Sequence, residues 1–170
     1  MKNILEAKNL VKEYSQTQGF FSRTKNIIRA LSQVSISIER GKTLAVVGES
    51  GSGKSTLAKS LIKLIEVDDG SIYFEGVHLN SLTSAELKST RRNIQMVFQD
   101  PYASLNPRMK IKDILEEPLI IHNIDVPSNR QKKIKQMIIR VGLGEDDLKK
   151  YPHEFSGGQR QRIGIARALI

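Results

Sequence analysis

A chain of 170 residues, 39% hydrophobic and 26% charged, has the size and composition of one globular domain or of part of a larger one. No apolar run approaches the ~18 residues of a membrane span, and the absence of cysteine excludes disulfides and thiolate metal sites. The net charge of +9 invites a nucleic-acid reading, but the basic residues are scattered, and the aromatics, 5% of the chain, do not interleave with them as stacking platforms would. The start, MKNILEAKNLVKEY, contains glutamates and lacks an apolar core ending in small residues, so a cytosolic chain without a secretory signal is expected.

Residues 4–14 predict a first strand, and VSISI, 34–38, alternates strictly and predicts a second, half-buried one. Between them SQTQGFFSRTKN is polar and basic apart from Phe20 and Phe21, with Gly19 as a breaker, and reads as a loop or hairpin insertion. Arg40, Gly41 and Lys42 then turn the chain into TLAVV, a continuous apolar run suited to a central parallel strand.

The next nine residues, Gly48, Glu49, Ser50, Gly51, Ser52, Gly53, Lys54, Ser55 and Thr56, have the spacing G-x-x-x-x-G-K-S/T between a strand and a helix, the sequence form of a phosphate-binding loop. The glycines allow a tight turn and a close backbone approach, so that successive N–H groups can point at phosphate oxygens. Lys54 adds a point charge and Ser55 a hydroxyl for magnesium; Glu49 is a variable position of the motif with no assigned chemistry. A helix N-terminus favours an anion by at most about 2 kcal/mol, whereas micromolar binding requires about 8 kcal/mol. The amides, the lysine and a magnesium ion must therefore act together.

Leu57, Leu61, Ile62, Leu64 and Ile65 follow with the spacing of a buried helix face. Asp68, Asp69 and Gly70 form a turn, and SIYFEGVHL reads as two short strands about a Glu75-Gly76 turn. Thr83 with Glu86 makes a capping box that opens a helix toward Arg91. NIQMVF, 93–98, is a further buried-strand candidate, stopped by Gln99, Asp100 and Pro101. From Pro101 to about Tyr151 the character changes to a helical insert, with Pro107, Pro118 and Pro127, then an amphipathic helix capped by Ser128, running to Val141 and closed by Gly142. His78, His122 and His153 are isolated, lack ligand spacing and read as surface or structural residues.

FSGGQRQRIGIARALI closes the chain. Ser156 and Gln159 are spaced as a second capping box, and Ile163, Ala166, Leu169 and Ile170 form an apolar stripe. Gly157 and Gly158 leave this helix start open to an anion, although each glycine costs about 1 kcal/mol in a helix interior. An ordinary capped helix would read much the same.

Together with the phosphate loop, this stretch resembles the signature motif of ATP-binding cassette (ABC) ATPases, in which an apolar residue precedes SGGQ; Phe155 in place of the commoner leucine is a conservative departure. Three stretches, RALSQVSISIERGKTLAVVGESGSGKST, QMVFQDPYASLNPRM and YPHEFSGGQRQRIGIARAL, resemble more narrowly the ATPase subunits of bacterial dipeptide, oligopeptide and nickel importers. The likeness runs from about residue 4 to the last residue. It implies an α/β fold: a P-loop NTPase core with an antiparallel β subdomain (together 1–99), a helical subdomain (100–158) and a signature helix (156–170), incomplete at the C-terminus.

The resemblance also implies roles. Tyr14 stands where the family places an aromatic that stacks on adenine, though by itself it reads equally as a packing tyrosine. Gln99 stands where the family places its Q-loop glutamine, which reaches magnesium and the attacking water. Ser156, Gly157, Gly158 and Gln159 would contact ATP held by an opposite subunit in a head-to-tail dimer. The segment from about Asp100 to Leu119 would meet a membrane-spanning permease subunit, and a substrate-binding protein would act indirectly. ATP and magnesium are the implied cofactors, and the cytoplasmic face of the cell membrane the implied location.

Phosphoryl transfer to water also needs a carboxylate for magnesium and a group that positions the water. The family places these after the signature helix, beyond Ile170. Asp100 mimics the end of such a strand, but Gln99 intervenes and Pro101 follows, and the resemblance implies that the stretch is the Q-loop. The expectation is an ATPase subunit of a peptide or nickel importer, not hydrolytically competent as these 170 residues alone. The alternatives are a nucleotide-binding fragment without turnover and a soluble ABC ATPase acting on nucleic acid.

Overall fold

The computed structural model describes residues 2–17, 25–100 and 102–170; Gly19, Phe20, Phe21 and Pro101 lie outside them. The chain forms two compact units, Met1–Arg91 and Arg92–Ile170.

In the first unit, β1 (Asn3–Thr17) and β2 (Lys25–Glu39) make a long antiparallel pair, with Leu5 opposite Ile38 and Tyr14 opposite Ile28. Both strands outrun the stretches that alternation predicted. The register shifts between Ala7 and Leu10, and this break in phase returns Leu10 to the buried face occupied by Leu5 and Ala7. Asn9, at the shift, adopts a φ of 51°, a conformation asparagine tolerates better than most residues. Its amide donates to Ser35 Oγ at 2.8 Å.

β3 (Asp69–Phe74) pairs with β1, and β4 (Val77–His78) with β3, giving an antiparallel sheet of order β2-β1-β3-β4. Glu75 and Gly76, with φ of 49° and 81°, form the expected tight hairpin turn. Ile72, Phe74, Leu31 and Leu79 are buried with the β1 residues. Helix α1 (Lys54–Leu61) lies against β2 and buries Leu57. It ends before Ile62, Leu64 and Ile65, which periodicity had placed on its face; Lys63 breaks it with a φ of 54°. Helix α2 (Ser84–Thr90) starts at the Thr83–Glu86 capping box: Thr83 N–H donates to Glu86 Oε2 at 2.8 Å, and Glu86 N–H to Thr83 Oγ1 at 3.4 Å.

The second unit is helical. Helices α3 (Ile111–Ile121), α4 (Pro127–Arg140) and α5 (Gly157–Leu169) enclose a core that includes Ile111, Leu115, Ile134, Ile138, Phe155 and Ile163. Pro118, one of the prolines of the expected helical insert, sits inside α3. The cap of α4 is Val126 rather than Ser128, because Pro127 takes the first helical position, where its fixed φ fits and its missing N–H is not needed. Gly142 closes α4 with a φ of 75°, and Arg162 donates to the carbonyls of Val141 and Gly142 at 3.3 and 3.0 Å.

Two expected strands do not form. Residues 43–47 and 94–98 have no strand pairing, and Leu44, Val46, Val47, Val97 and Phe98 are exposed, Val47 to 88%. A parallel strand is stabilised only by neighbours that bond both its edges and cover both its faces. The described residues offer these runs no such neighbours.

Candidate functional site

The phosphate loop belongs to the first unit. Its lysine is held by its own backbone: Lys54 Nζ donates to Gly48 O at 2.7 Å, to Glu49 O at 2.5 Å and to Ser52 Oγ at 3.3 Å. This wraps residues 48–54 into a cup with the ammonium at its centre. Gly53 makes the geometry possible. It caps α1 with a φ of 91°, and a Cβ there would stand 2.3 Å from the carbonyl oxygen of Ala30 on β2. No side chain caps α1, so its first amides have no side-chain partner and remain available to an anion.

Ser55 is exposed on the first turn of α1, and no hydrogen bond of its hydroxyl is found among the described residues. That free oxygen donor beside Lys54 fits a magnesium ligand. Tyr14 lies on β1, 41% exposed, with the Lys12 ammonium 5.6 Å from its ring centroid. The β1–β2 pair thus carries both Tyr14, opposite Ile28, and Ala30, against which Gly53 is packed. Sequence reading missed Ala30, whose role is only a carbonyl and therefore leaves no trace in residue type.

Gln99 and the signature belong to the second unit. Gln99 is exposed at a bend and free of side-chain hydrogen bonds among the described residues. Asp100 next to it is committed locally: its Oδ1 accepts from the amides of Tyr102 at 2.8 Å and Ala103 at 3.3 Å. This is an aspartate turn, and it explains the carboxylate without a metal.

At the signature, Ser156 N–H donates to Gln159 Oε1 at 2.9 Å, and Gln159 N–H donates to Ser156 Oγ at 3.3 Å. Phe155 is buried in the helical core, so its exchange for leucine leaves the motif's anchor intact. A Cβ at Gly157 or Gly158 would meet nothing within 4 Å, and neither residue has a positive φ. Unlike Gly53, these two glycines are required neither by the backbone nor by packing within the described chain.

The histidines behave as structural residues. His78 stacks on Tyr73 with ring centroids 4.9 Å apart, His153 stacks on Tyr151 at 5.8 Å, and His122 closes α3. No group of three metal-ligating side chains occurs among the described residues. A cavity of about 650 Å³ lies in the second unit, lined by neither motif, and ion pairs cross its rim at Lys135–Glu145 and Lys149–Asp146. Among the described residues no helix is long and apolar enough to cross a membrane.

A glycine-built cup around a lysine at the start of α1, in a sheet-and-helix unit, defines a P-loop protein. Residues 31–170 match the ABC transporter family, and the chain belongs to it. It is 47% identical to the oligopeptide transport ATP-binding protein AppF of Bacillus subtilis (strain 168), over 99% of this chain and 51% of that protein. It is also 47% identical to the di/tripeptide transport ATP-binding protein DppF of Pseudomonas aeruginosa (strain UCBPP-PA14), over 100% of this chain and 52% of that one. The chain thus spans about half the length of these curated relatives. Among solved structures it is similar to the ATP-binding cassette MJ0796, in a dimeric post-hydrolysis state bound to ADP and Pi, with a TM-score of 0.83 and 33% identity over 97% of this chain and 68% of that one. The family's cassettes bind nucleotide, and the α/β fold class read from the sequence is that of these neighbours.

Proposed function

We propose that this chain is the nucleotide-binding portion of an ABC ATPase subunit that couples ATP binding and hydrolysis to the import of di- or oligopeptides. The observation that carries the nucleotide part is the loop itself, in which Gly53 is forced against Ala30 and the Lys54 ammonium is held by the carbonyls of Gly48 and Glu49 and the hydroxyl of Ser52. The names of the relatives, an oligopeptide and a di/tripeptide transport ATP-binding protein, support the peptide part.

In this reading the amides of residues 50–56 and Lys54 hold the terminal phosphates, with Lys54 exchanging loop carbonyls for phosphate oxygens. Tyr14 presents its ring to the adenine. Ser55 and Gln99 would hold magnesium, which when bound neutralises phosphate charge and polarises the bond to be broken. Ser156, Gly157, Gly158 and Gln159 of a second, homologous or identical subunit would close over the nucleotide. The two bare glycines support this, because the chain's own packing leaves the space above them open. Asp100 takes no part in hydrolysis, since its oxygen is already bonded to its own turn. The division into a β and P-loop core, a helical subdomain and a signature helix assigns nucleotide binding to the first part and partner contacts to the others.

The test is calorimetry of ATP with magnesium on the full-length subunit. Lys54→Ala removes a charge-assisted set of bonds and is expected to weaken binding at least tenfold, about 1.4 kcal/mol; unchanged affinity would sink the loop assignment. Co-purification with membrane permease subunits supports import, whereas salt-sensitive binding to nucleic acid in their place would replace it.

A further inference from the structure

Two arginines of α5 reach back to the segment that follows Gln99. Arg160 and Arg167 are seven residues apart, two helical turns, and so project from one face. The Arg160 guanidinium lies 3.9 Å from the ring centroid of Tyr102, while its Nε donates to Phe155 O at 2.9 Å and its Nη2 to His153 O at 3.5 Å. Arg167 Nη1 donates to Ser104 O at 2.6 Å. Leu105, the next residue, is buried in the same core as Phe155, Ile163 and Ala166. The turn at Asp100 fixes the other end of the segment through the amides of Tyr102 and Ala103.

Burial alone does not explain the upper contact. Tyr102 is 64% exposed, so its ring removes little surface from water and serves mainly as a flat seat for the guanidinium. The Arg160 fork meanwhile bonds the carbonyls on either side of Glu154, just ahead of Ser156. One side chain thus touches both the residues leading into the signature and Tyr102, three positions after Gln99, which are 53 residues apart in the chain (155 − 102).

We infer that Arg160 and Arg167 are positioning residues that fasten residues 102–105 to the signature helix, so that whatever engages residues 156–159 also sets where Gln99, close before them in the chain, stands. The inference rests on the nucleotide-site reading above. Under it, the two arginines leave the ground-state hold on ATP untouched and act on turnover.

The test measures steady-state ATP turnover, nucleotide affinity and thermal unfolding of the full-length subunit in wild type, Arg160→Ala, Tyr102→Ala, the double variant and Arg167→Lys. Arg160→Ala and Tyr102→Ala are each expected to lower kcat about tenfold with KM within about twofold of wild type. The double variant is expected to lose no more than Arg160→Ala, since the contact that Tyr102→Ala removes is already gone without Arg160. Arg167→Lys keeps the charge at a part-buried site but cannot reproduce the guanidinium's reach to Ser104, and is expected to lower kcat without shifting the unfolding midpoint. Losses that multiply in the double variant, or normal turnover in Arg160→Ala, would overturn the inference while leaving the ATPase reading standing. A wild-type subunit that hydrolyses no ATP would overturn both.

Discussion

Glycine occupies Gly53, Gly157 and Gly158 for two different reasons, and substitution separates them. At Gly53 an alanine meets the Ala30 carbonyl at 2.3 Å and is forced to a φ near 91°, so Gly53→Ala is expected to destabilise the first unit by about 1–3 kcal/mol. At Gly158 an alanine meets nothing and gains up to about 1 kcal/mol of helix propensity. Gly158→Ala should therefore unfold no earlier than wild type, yet weaken ATP-driven association of two subunits. Denaturant melts and light scattering with ATP check the pair; a Gly158→Ala protein that is both stable and fully able to associate would remove the role assigned to the signature. The loop's residues were legible in the sequence because their spacing is local. Ala30, Tyr102 and the reach of Arg160 and Arg167 were not, since contacts across 23 to 63 positions leave no pattern in a single stretch (53 − 30 and 167 − 104).

Among the elements, the two capping boxes were legible in full, as each is closed within four residues. Strands were less so. The ends of β1 and β2 are polar and read as loop, but they pair because the opposite strand is present, whereas TLAVV and NIQMVF read as strand and stay unpaired because, among the described residues, no strand flanks them. The sheet's own joint, where the chain enters β3, shows a side chain standing in for a ladder bond: Asp68 Oδ1 accepts from Lys12 Nζ at 2.9 Å and Oδ2 from the Glu13 amide at 2.6 Å. The Lys12 bond first, and then the Glu13 amide, hold the Asp68 carboxyl below its ordinary value. A carboxyl depressed in the folded state contributes stability above its unfolded value, about 3.9, and loses it as pH falls through the lower folded value. Asp68→Asn is accordingly expected to lower stability at neutral pH and to flatten the loss below about pH 4. Urea titrations at several pH values measure this, and parallel curves for the two proteins would refute it.

For the whole molecule, each unit has its own buried core, and each also carries an unpaired apolar run, residues 43–47 in one and 94–98 in the other. A chain of these 170 residues prepared alone is expected to bind hydrophobic dye strongly and to self-associate as its concentration rises, because bare strand edges and exposed valines recruit partners. Gel filtration across a concentration series tests it; a monodisperse monomer with weak dye binding at every concentration would contradict it.

The contrast between Gly53 and the pair Gly157 and Gly158 also speaks to how selection acts on this gene. In a variant library chosen only for folded protein, position 53 would stay glycine while 157 and 158 drift toward alanine. Under the proposed import function, in a library chosen for uptake all three would stay fixed. The difference between the two libraries marks which letters the chain owes to its own fold and which to another molecule.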